Sequence, residues 1–535
     1  MSSPNTNFSF SRNLSPEDAV VRVFCNGFTS EINGADCRIR FKDNNRILCE
    51  SDSESLYPIG KQNIMSSLEN ATFRLPVTPE GISIEIKKAL LIEQHFEDWR
   101  TTTLFSHLEN QEEPITAQRR FRIIIPQNTQ WYAPDFSRFF YGTPNMIIPK
   151  GEFEPSQRIY VQITGTSDSG ITFKYNGIQY VAYSRQSYPH RPQNQYMVIE
   201  TLDVSNHDAV QKMALKIISA IGFFTANYPF GQMFVFDADT SKFISYNGCV
   251  ISSATSKFAM ISLNPYDYFA QSDIRSMHRE HLDKAEQDDS IRIDGEPEIL
   301  SRLRRRLTPI KATHFTNLLT LMESKRFMLP FHLLQALSTT LASTFVYARL
   351  SAYVSCIEMF KKWVRCDIAG EEMIPKVGSF AECECRIPAE FKKSFLLDIH
   401  QALNKVSAAI NPDARKSIKN RLRKIFTKRL PNEEILKRPF ELFKIDYSSS
   451  RDANTFKLRN DIAHGENPIT AEFDNNDFQE YLNESEEKCF GFHALIWRLI
   501  MVAIGYHGIY RDLPKLMRLN RAGTGNDCQP VALEF

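Results

Sequence analysis

Arg459, Asn460 and His464 place a guanidinium, a carboxamide and an imidazole within one short stretch, Arg459-Asn460-Asp461-Ile462-Ala463-His464, followed by Gly465. Histidine titrates near neutrality and can take or give a proton. Arginine stays charged and offers phosphate oxygens a planar fork of donors. Asn460 can donate to a phosphate or orient His464, with Asp461 beside it in support. This set suits RNA cleavage, because RNA carries its own nucleophile in the 2′-hydroxyl. The reaction then needs a base for that proton, an acid for the leaving 5′-oxygen and positive charge on the phosphorane. One histidine per chain is one too few for both proton transfers.

Spacing alone carries little weight, since roughly two or three Arg-x4-to-6-His pairs are expected by chance in a chain of this composition. Five occur: Arg100/His107, Arg185/His190, Arg275/His281, Arg326/His332 and Arg459/His464. Pro189 and Pro330 interrupt two of them, which argues against a continuous helix there. Arg100/His107 runs through three threonines, and Arg275/His281 lies in a charged stretch. Arg459/His464 alone has an amide residue directly after the arginine, a predicted helix around it and a long apolar helix following. On an ideal helix Asn460 and His464 share a face, but Arg459 points about 140° from His464. Arg459 must reach round, the helix must distort, or the partners must come from two subunits. The competing reading of His464-Gly465 is a helix C-terminal cap.

The elements around the motif follow from periodicity. The chain has 535 residues, with 42% hydrophobic and 24% charged, ordinary for a folded chain of several domains. Residues 20 to about 260 read as strands. Cys37–Lys42 alternates, a turn at 43–45 precedes Ile47-Leu48, and Asn176-Gly177 predicts a tight hairpin between Ile171–Tyr175 and Ile178–Val181. Further strands are expected at 122–125, 159–163, 197–199 and 233–236. One helix is capped by Asn206 and carries Val210, Met213, Ile217, Ile218 and Ile221 at helical spacing. After a charged stretch, everything beyond Phe331 reads as helix: 333–363 (one long helix or a broken pair), 391–409, 412–430, 433–443, 454–464 and 477–506. Fifteen residues, Phe492 to Tyr506, are too few for a membrane span and include Arg498.

The expected fold is therefore α+β and multidomain, a β-rich domain (sandwich or barrel with inserted helices) followed by an all-α bundle. Expected boundaries are a flexible tail at 1–19, the β-rich domain at 20–290, a charged helical linker at 291–330, the bundle at 331–512 and a C-terminal tail at 513–535. The string Leu458–Gly465 closely resembles the Apea-like HEPN proteins of bacterial antiphage defence. Leu350–Phe360, with Glu358 inside an apolar run, resembles their earlier helix. The resemblance covers roughly 331–510. It implies a metal-independent ribonuclease site shared by two subunits of a homodimer or higher homo-oligomer, with two histidines and two arginines. It also implies a β-rich sensor that a phage component triggers, and cleavage of host RNA, with tRNA a candidate. The alternatives are a non-catalytic RNA- or ligand-binding protein that uses the bundle to dimerise, and a HEPN toxin silenced by a partner nucleotidyltransferase.

Arg415, Lys416, Lys419, Arg421, Arg423, Lys424, Lys428 and Arg429 face one acid, Asp413, just before the motif. Such a run suits a phosphate backbone, or is a solvated helix face. Cys366, Cys383 and Cys385, with Cys356 or His400 nearby, are a weak zinc candidate, because Cys-x-Cys is not the usual spacing. Asp237 and Asp239 read as turn residues rather than a metal pair. No phosphate-cradling glycine loop, nucleophile elbow or His-Glu-x-x-His stretch is present, so no cofactor is expected. With no secretory signal and ten cysteines, the expected setting is a reducing cytoplasm without membrane attachment.

Overall fold

The computed structural model describes residues 16–42, 46–52, 68–94, 101–126, 147–149, 160–162, 170–186, 195–228, 232–248, 254–255, 259–270, 297–339, 346–368, 432–447, 478–522 and 530–534. Shorter pieces are described at 273–274, 277, 394, 397–398, 401–402, 405, 455–456, 458 and 462. The chain forms two compact units. One comprises Met1–Glu323, Gln335–Ser343 and Met501–Phe535, the other Ser324–Leu334 and Thr344–Ile500.

In the first unit α1 (Pro16–Asn26) precedes an antiparallel meander of β1 (Phe28–Ile32), β2 (Ala35–Lys42) and β3 (Arg46–Ser51). β4 (Thr72–Leu75) and β5 (Ile82–Gln94) make a hairpin, and β5 runs along β6 (Thr101–Asn110). After β7 (Phe121–Pro126), β8 (Ile147–Pro149) and β9 (Tyr160–Gln162) pair with each other. A second meander of β10 (Gly170–Tyr175), β11 (Ile178–Gln186) and β12 (Gln195–Thr201) pairs with β7. Next come α2 (His207–Thr225), β13 (Asn227–Tyr228), β14 (Gln232–Asp237), β15 (Phe243–Gly248) and β16 (Ala254–Thr255). β14 lies between β7 and β15, and β13 pairs with β16.

The main sheet has twelve antiparallel strands among the described residues, in the order β1-β2-β3-β6-β15-β14-β7-β12-β11-β10, with β5 and β4 joined through β6. It forks at β6. One edge of β6 gives Thr101–Phe105 to β3 and His107–Glu109 to β15, while β5 takes the other edge. Both arms turn apolar residues into one core. Phe24 of α1 lies 5.5 Å from Phe234 and 5.6 Å from Phe28, and Phe73 stacks on Phe105 at 6.0 Å. Alternation drives this arrangement: Ala35, Cys37 and Ile39 are buried while Asp36 and Arg38 are exposed. At the predicted hairpin, Asn176 and Gly177 have φ of 49° and 82°, the left-handed pair that a type I′ turn requires. The Asn206 side chain accepts from Ala209 N at 2.8 Å and caps α2, as its position suggested.

Helices dominate from α3 (Glu298–Arg306) and α4 (Ala312–Leu321) through α5 (Lys325–Thr339), α6 (Val346–Trp363), α7 (Asn432–Leu442), α8 (Phe478–Ala503) and α9 (Leu513–Ala522). The stretch expected as a charged linker packs from Pro297 onward: Leu300 and Leu303 are buried with Tyr268, Phe269, Met277 and Ile509. The segment expected as a C-terminal tail is also structured. It forms α9 and β18 (Ala532–Glu534), and β18 pairs with β17 (Ile509–Arg511) just before the expected tail, within the first unit. Val531 N donates to Tyr268 O at 2.7 Å and Arg511 N to Met260 O at 2.7 Å. Such short strands carry too few residues for a visible period and depend on partners hundreds of positions away. The span 333–363 resolves into two helices, α5 and α6.

Pro330 lies inside α5, contrary to the expectation that it would prevent a continuous helix between Arg326 and His332. Phe327, Phe331 and Leu334 bury one face of α5, and Phe327 sits 4.9 Å from Trp363 and 5.7 Å from Phe360. This packing outweighs the loss of one backbone hydrogen bond. The Cys356 thiol donates to the Pro330 carbonyl at 3.3 Å.

Candidate active site

The described residues nearest the motif in sequence belong to the second unit. Thr455, Phe456, Leu458 and Ile462 are helical, and Thr455, Phe456 and Ile462 are buried. Arg459, Asn460, Asp461 and His464 lie outside the described residues, as does the basic run from Arg415 to Arg429. Among the described residues, an aromatic set packs around Phe456. Leu436 and Phe440, one turn apart on α7, are buried, and Phe440 meets Phe456 edge-on at 5.4 Å. Tyr447 meets Phe456 at 5.8 Å and Phe440 at 6.4 Å, both edge-on. Such edge-to-face arrangements are the favoured packing of aromatic quadrupoles. Above them Lys437 Nζ is 5.8 Å from the Tyr447 ring centre and 5.9 Å from that of Phe456. The Tyr447 hydroxyl donates to Glu441 at 2.6 Å, and that hydrogen bond, helped by burial, pushes its pKa up to about 12.

A polar seam runs through the apolar packing of α6 and α8. Arg349 and Tyr353 stand one turn apart on α6, as do Ser485, Cys489 and His493 on α8, and all five are buried. The Tyr353 hydroxyl and His493 Nδ1 are 3.4 Å apart. Burial, with the Arg349 charge, drives the His493 pKa down to about 3, so this imidazole is neutral. Sequence reading passed over the seam. Its only signal is polar residues at i, i+4 spacing inside apolar helices.

Of the supporting residues, Glu358 is partly buried on α6 and pairs with Lys361 at 2.5 Å. Cys366 is half-buried in the wider turn, Val364–Ile368, that ends α6, while Cys383 and Cys385 lie outside the described residues. Among the described residues no three histidine, cysteine, aspartate or glutamate side chains gather to hold a metal ion. None of their helices is long and apolar enough to cross a membrane.

The competing pairs occupy other settings. Arg326 and His332 share α5, but six positions on a helix put them about 120° apart. Arg326 is also committed to Asp367, at 2.7 Å. His107 lies on β6, not on a helix, between Asn247 (2.5 Å) and Glu109 (2.7 Å). His190, Arg275 and His281 lie outside the described residues. Asp237 ends β14 and holds the turn that follows: its Oδ1 accepts from Asp239 N and Thr240 N, and Arg119 pairs with it at 3.2 Å. In the first unit His207 Nε2 lies 2.8 Å from the Ser245 hydroxyl and its Nδ1 3.6 Å from Asp208, the order of a nucleophile relay. Ser245 is fully buried against the sheet, so no substrate can reach its hydroxyl.

The RiboL-PSP-HEPN family model matches residues 371–489. A HEPN domain therefore lies in the helical part of the chain. The match encloses Arg459, Asn460 and His464, the basic run and the Lys437 cluster. HEPN domains are generally ribonucleases or serve RNA-related roles. No curated protein and no solved structure matches the chain.

Proposed function

We propose that this protein is an endoribonuclease cutting RNA by metal-independent attack of the 2′-hydroxyl at Arg459, Asn460 and His464. The observation that carries this reading is the HEPN match over 371–489, which encloses the only Arg/His pair that sequence context singled out. His464 moves a proton, Arg459 neutralises the phosphorane, and Asn460 orients His464 or binds phosphate. Arg415–Arg429 holds the RNA backbone. Two copies of the chain supply both proton transfers. The β-rich unit is the regulatory part, and its trigger is a phage component, so that cutting host RNA, tRNA included, serves antiphage defence.

Purified protein incubated with labelled RNA, with and without phage lysate, tests the reading. His464→Ala should reduce cleavage by on the order of 10²–10⁴-fold with the fold unchanged, and Arg459→Ala comparably. His332→Ala, an exposed histidine of a competing pair, should cut normally. Products should end in 2′,3′-cyclic phosphate and form in EDTA. Cleavage that survives His464→Ala, or stops in EDTA while the protein stays folded, would overturn the mechanism.

A further inference from the structure

We propose that the exposed basic corner formed by Arg305, Lys311 and His507 in the first unit is a contact for the phosphate backbone of RNA; this rests on the ribonuclease reading above. Packing brings these residues together from distant parts of the chain. Leu300 and Leu303 bury one face of α3, which turns Arg302 and Arg305 outward on the opposite face. Three residues beyond Arg305, Thr308 lies against the turn at 505–508. Its carbonyl accepts from the Tyr506 hydroxyl at 2.9 Å, and a Cβ on Gly508 would stand 2.8 Å from the Thr308 Cβ. Lys311 follows at the start of α4. His314 ties it to the same turn: its Nδ1 accepts from Lys311 N at 3.2 Å, and its ring donates to the Gly505 carbonyl.

Charge decides what this corner can receive. No aspartate or glutamate occurs from Ile299 to Met322 or from Met501 to Arg511, the two stretches that meet here. Arg302 pairs with Glu298, but both side chains are exposed, so that pair contributes little. Burial first, then the charges of Lys311 and His507, push the His314 pKa down. The first turn of α4 also carries no acid to offset the positive end of its dipole. Like charges gathered in this way repel one another, and an arriving anion relieves the repulsion. Arg305, Lys311 and His507 are all exposed. Their spread over α3, the start of α4 and the 505–508 turn suits successive phosphates of one strand better than a single small anion.

The test is equilibrium binding of the full chain to a fluorescent 2′-O-methyl oligouridine, which offers no 2′-hydroxyl nucleophile. Binding is thus measured apart from cleavage. Arg305→Gln and Lys311→Gln should each weaken binding about threefold. Together they should lower the slope of log affinity against log salt by about 1.4, the value for two phosphate contacts on a single strand. His507→Arg, which adds a permanent charge, should tighten binding and steepen the slope. Lys212→Gln, which removes an exposed charge from α2, should change neither. If Arg305 serves only the C-terminal dipole of α3, its loss lowers the melting temperature and leaves the salt slope unchanged, which would overturn the proposal. So would displacement of the oligomer by inorganic phosphate at constant ionic strength, since the site would then be one for a small anion. Failure of the unsubstituted chain to bind the oligomer would also sink it. Cleavage of ordinary RNA that survives His464→Ala would remove the catalytic assignment and leave this binding comparison standing.

Discussion

An imidazole sealed in an apolar core sheds its proton, and His493 does so next to the buried Arg349. Its pKa of about 3 lies below the unfolded value near 6.5, so between those pH values the unfolded chain binds the extra proton. His493 therefore gives its full stabilisation above pH 6.5 and loses it progressively as pH falls towards 3, by up to about 1.4 kcal/mol per pH unit. Urea melts of the full chain at pH 7 and pH 5 should show this fall, and His493→Leu should flatten it. An unchanged difference between the two pH values in that variant would show that other groups cause it. This chemistry was invisible in the sequence, where His493 is one residue of an apolar run. The candidate motif at 459–464 stands out in the sequence because residue type and order mark it without knowledge of packing. Pro330 misled for the converse reason: local preference spoke against a helix, and the contacts of Phe327 and Phe331 overrode it.

At the scale of elements, hairpins were legible and the order of the sheet was not. Asn176-Gly177 specifies its turn within two residues, so the β10–β11 pairing follows locally. Gly177→Ala should cost about 1 kcal/mol, from the left-handed φ alone, since a Cβ there meets no atom within 4 Å. A urea midpoint unchanged by the substitution would mean that the turn relaxes. The fork at β6, by contrast, depends on β15 meeting a strand more than a hundred residues earlier, and alternation contains no such address. What fixes α1 against this sheet is equally non-local. Arg122 of β7 pairs with Glu200 at 3.0 Å and with Glu17 of α1, all three nearly sealed from water. Burial opposes the guanidinium charge, yet Glu200 and Glu17 hold its pKa above the usual value. Arg122→Met strands two buried carboxylates and should cost about 3–5 kcal/mol. Adding Glu17→Gln and Glu200→Gln should recover part of that loss, because no buried charge is then left over. A single variant that melts like the parent chain would show that water reaches the triad.

For the whole molecule, the chain does not pass once from a β-rich part to a helical part. It leaves the first unit after Glu323, returns for Gln335–Ser343, leaves again, and comes back at Met501. Sequence composition marks where helices begin but cannot mark a return, since returning segments are helical or apolar like their surroundings. The returns are anchored inside the first unit. The Gln335 amide donates to Ser219 O at 2.7 Å, Asn317 Nδ2 to Ile504 O at 2.9 Å, and the Tyr506 hydroxyl to Thr308 O at 2.9 Å. Ile509 completes the small core beneath Leu300 and Leu303. Cutting the chain at 319/320 therefore leaves residues 320–535 with buried polar groups and apolar faces whose partners are on the other piece, including Ser219, Thr308 and Leu303. Each exposed polar group that is then left unmatched, and each lost apolar contact, works against independent folding. The two pieces, 1–319 and 320–535, should be poorly soluble when made separately and should co-purify as a folded pair when made together. If 320–535 alone is soluble and melts as cooperatively as the intact chain, the returning segments contribute little. If only the pair folds, loss of RNA cleavage in a truncated chain cannot be read as loss of a regulatory part. Control by the β-rich unit must then be tested by substitution in the full chain, with His464→Ala as the inactive reference.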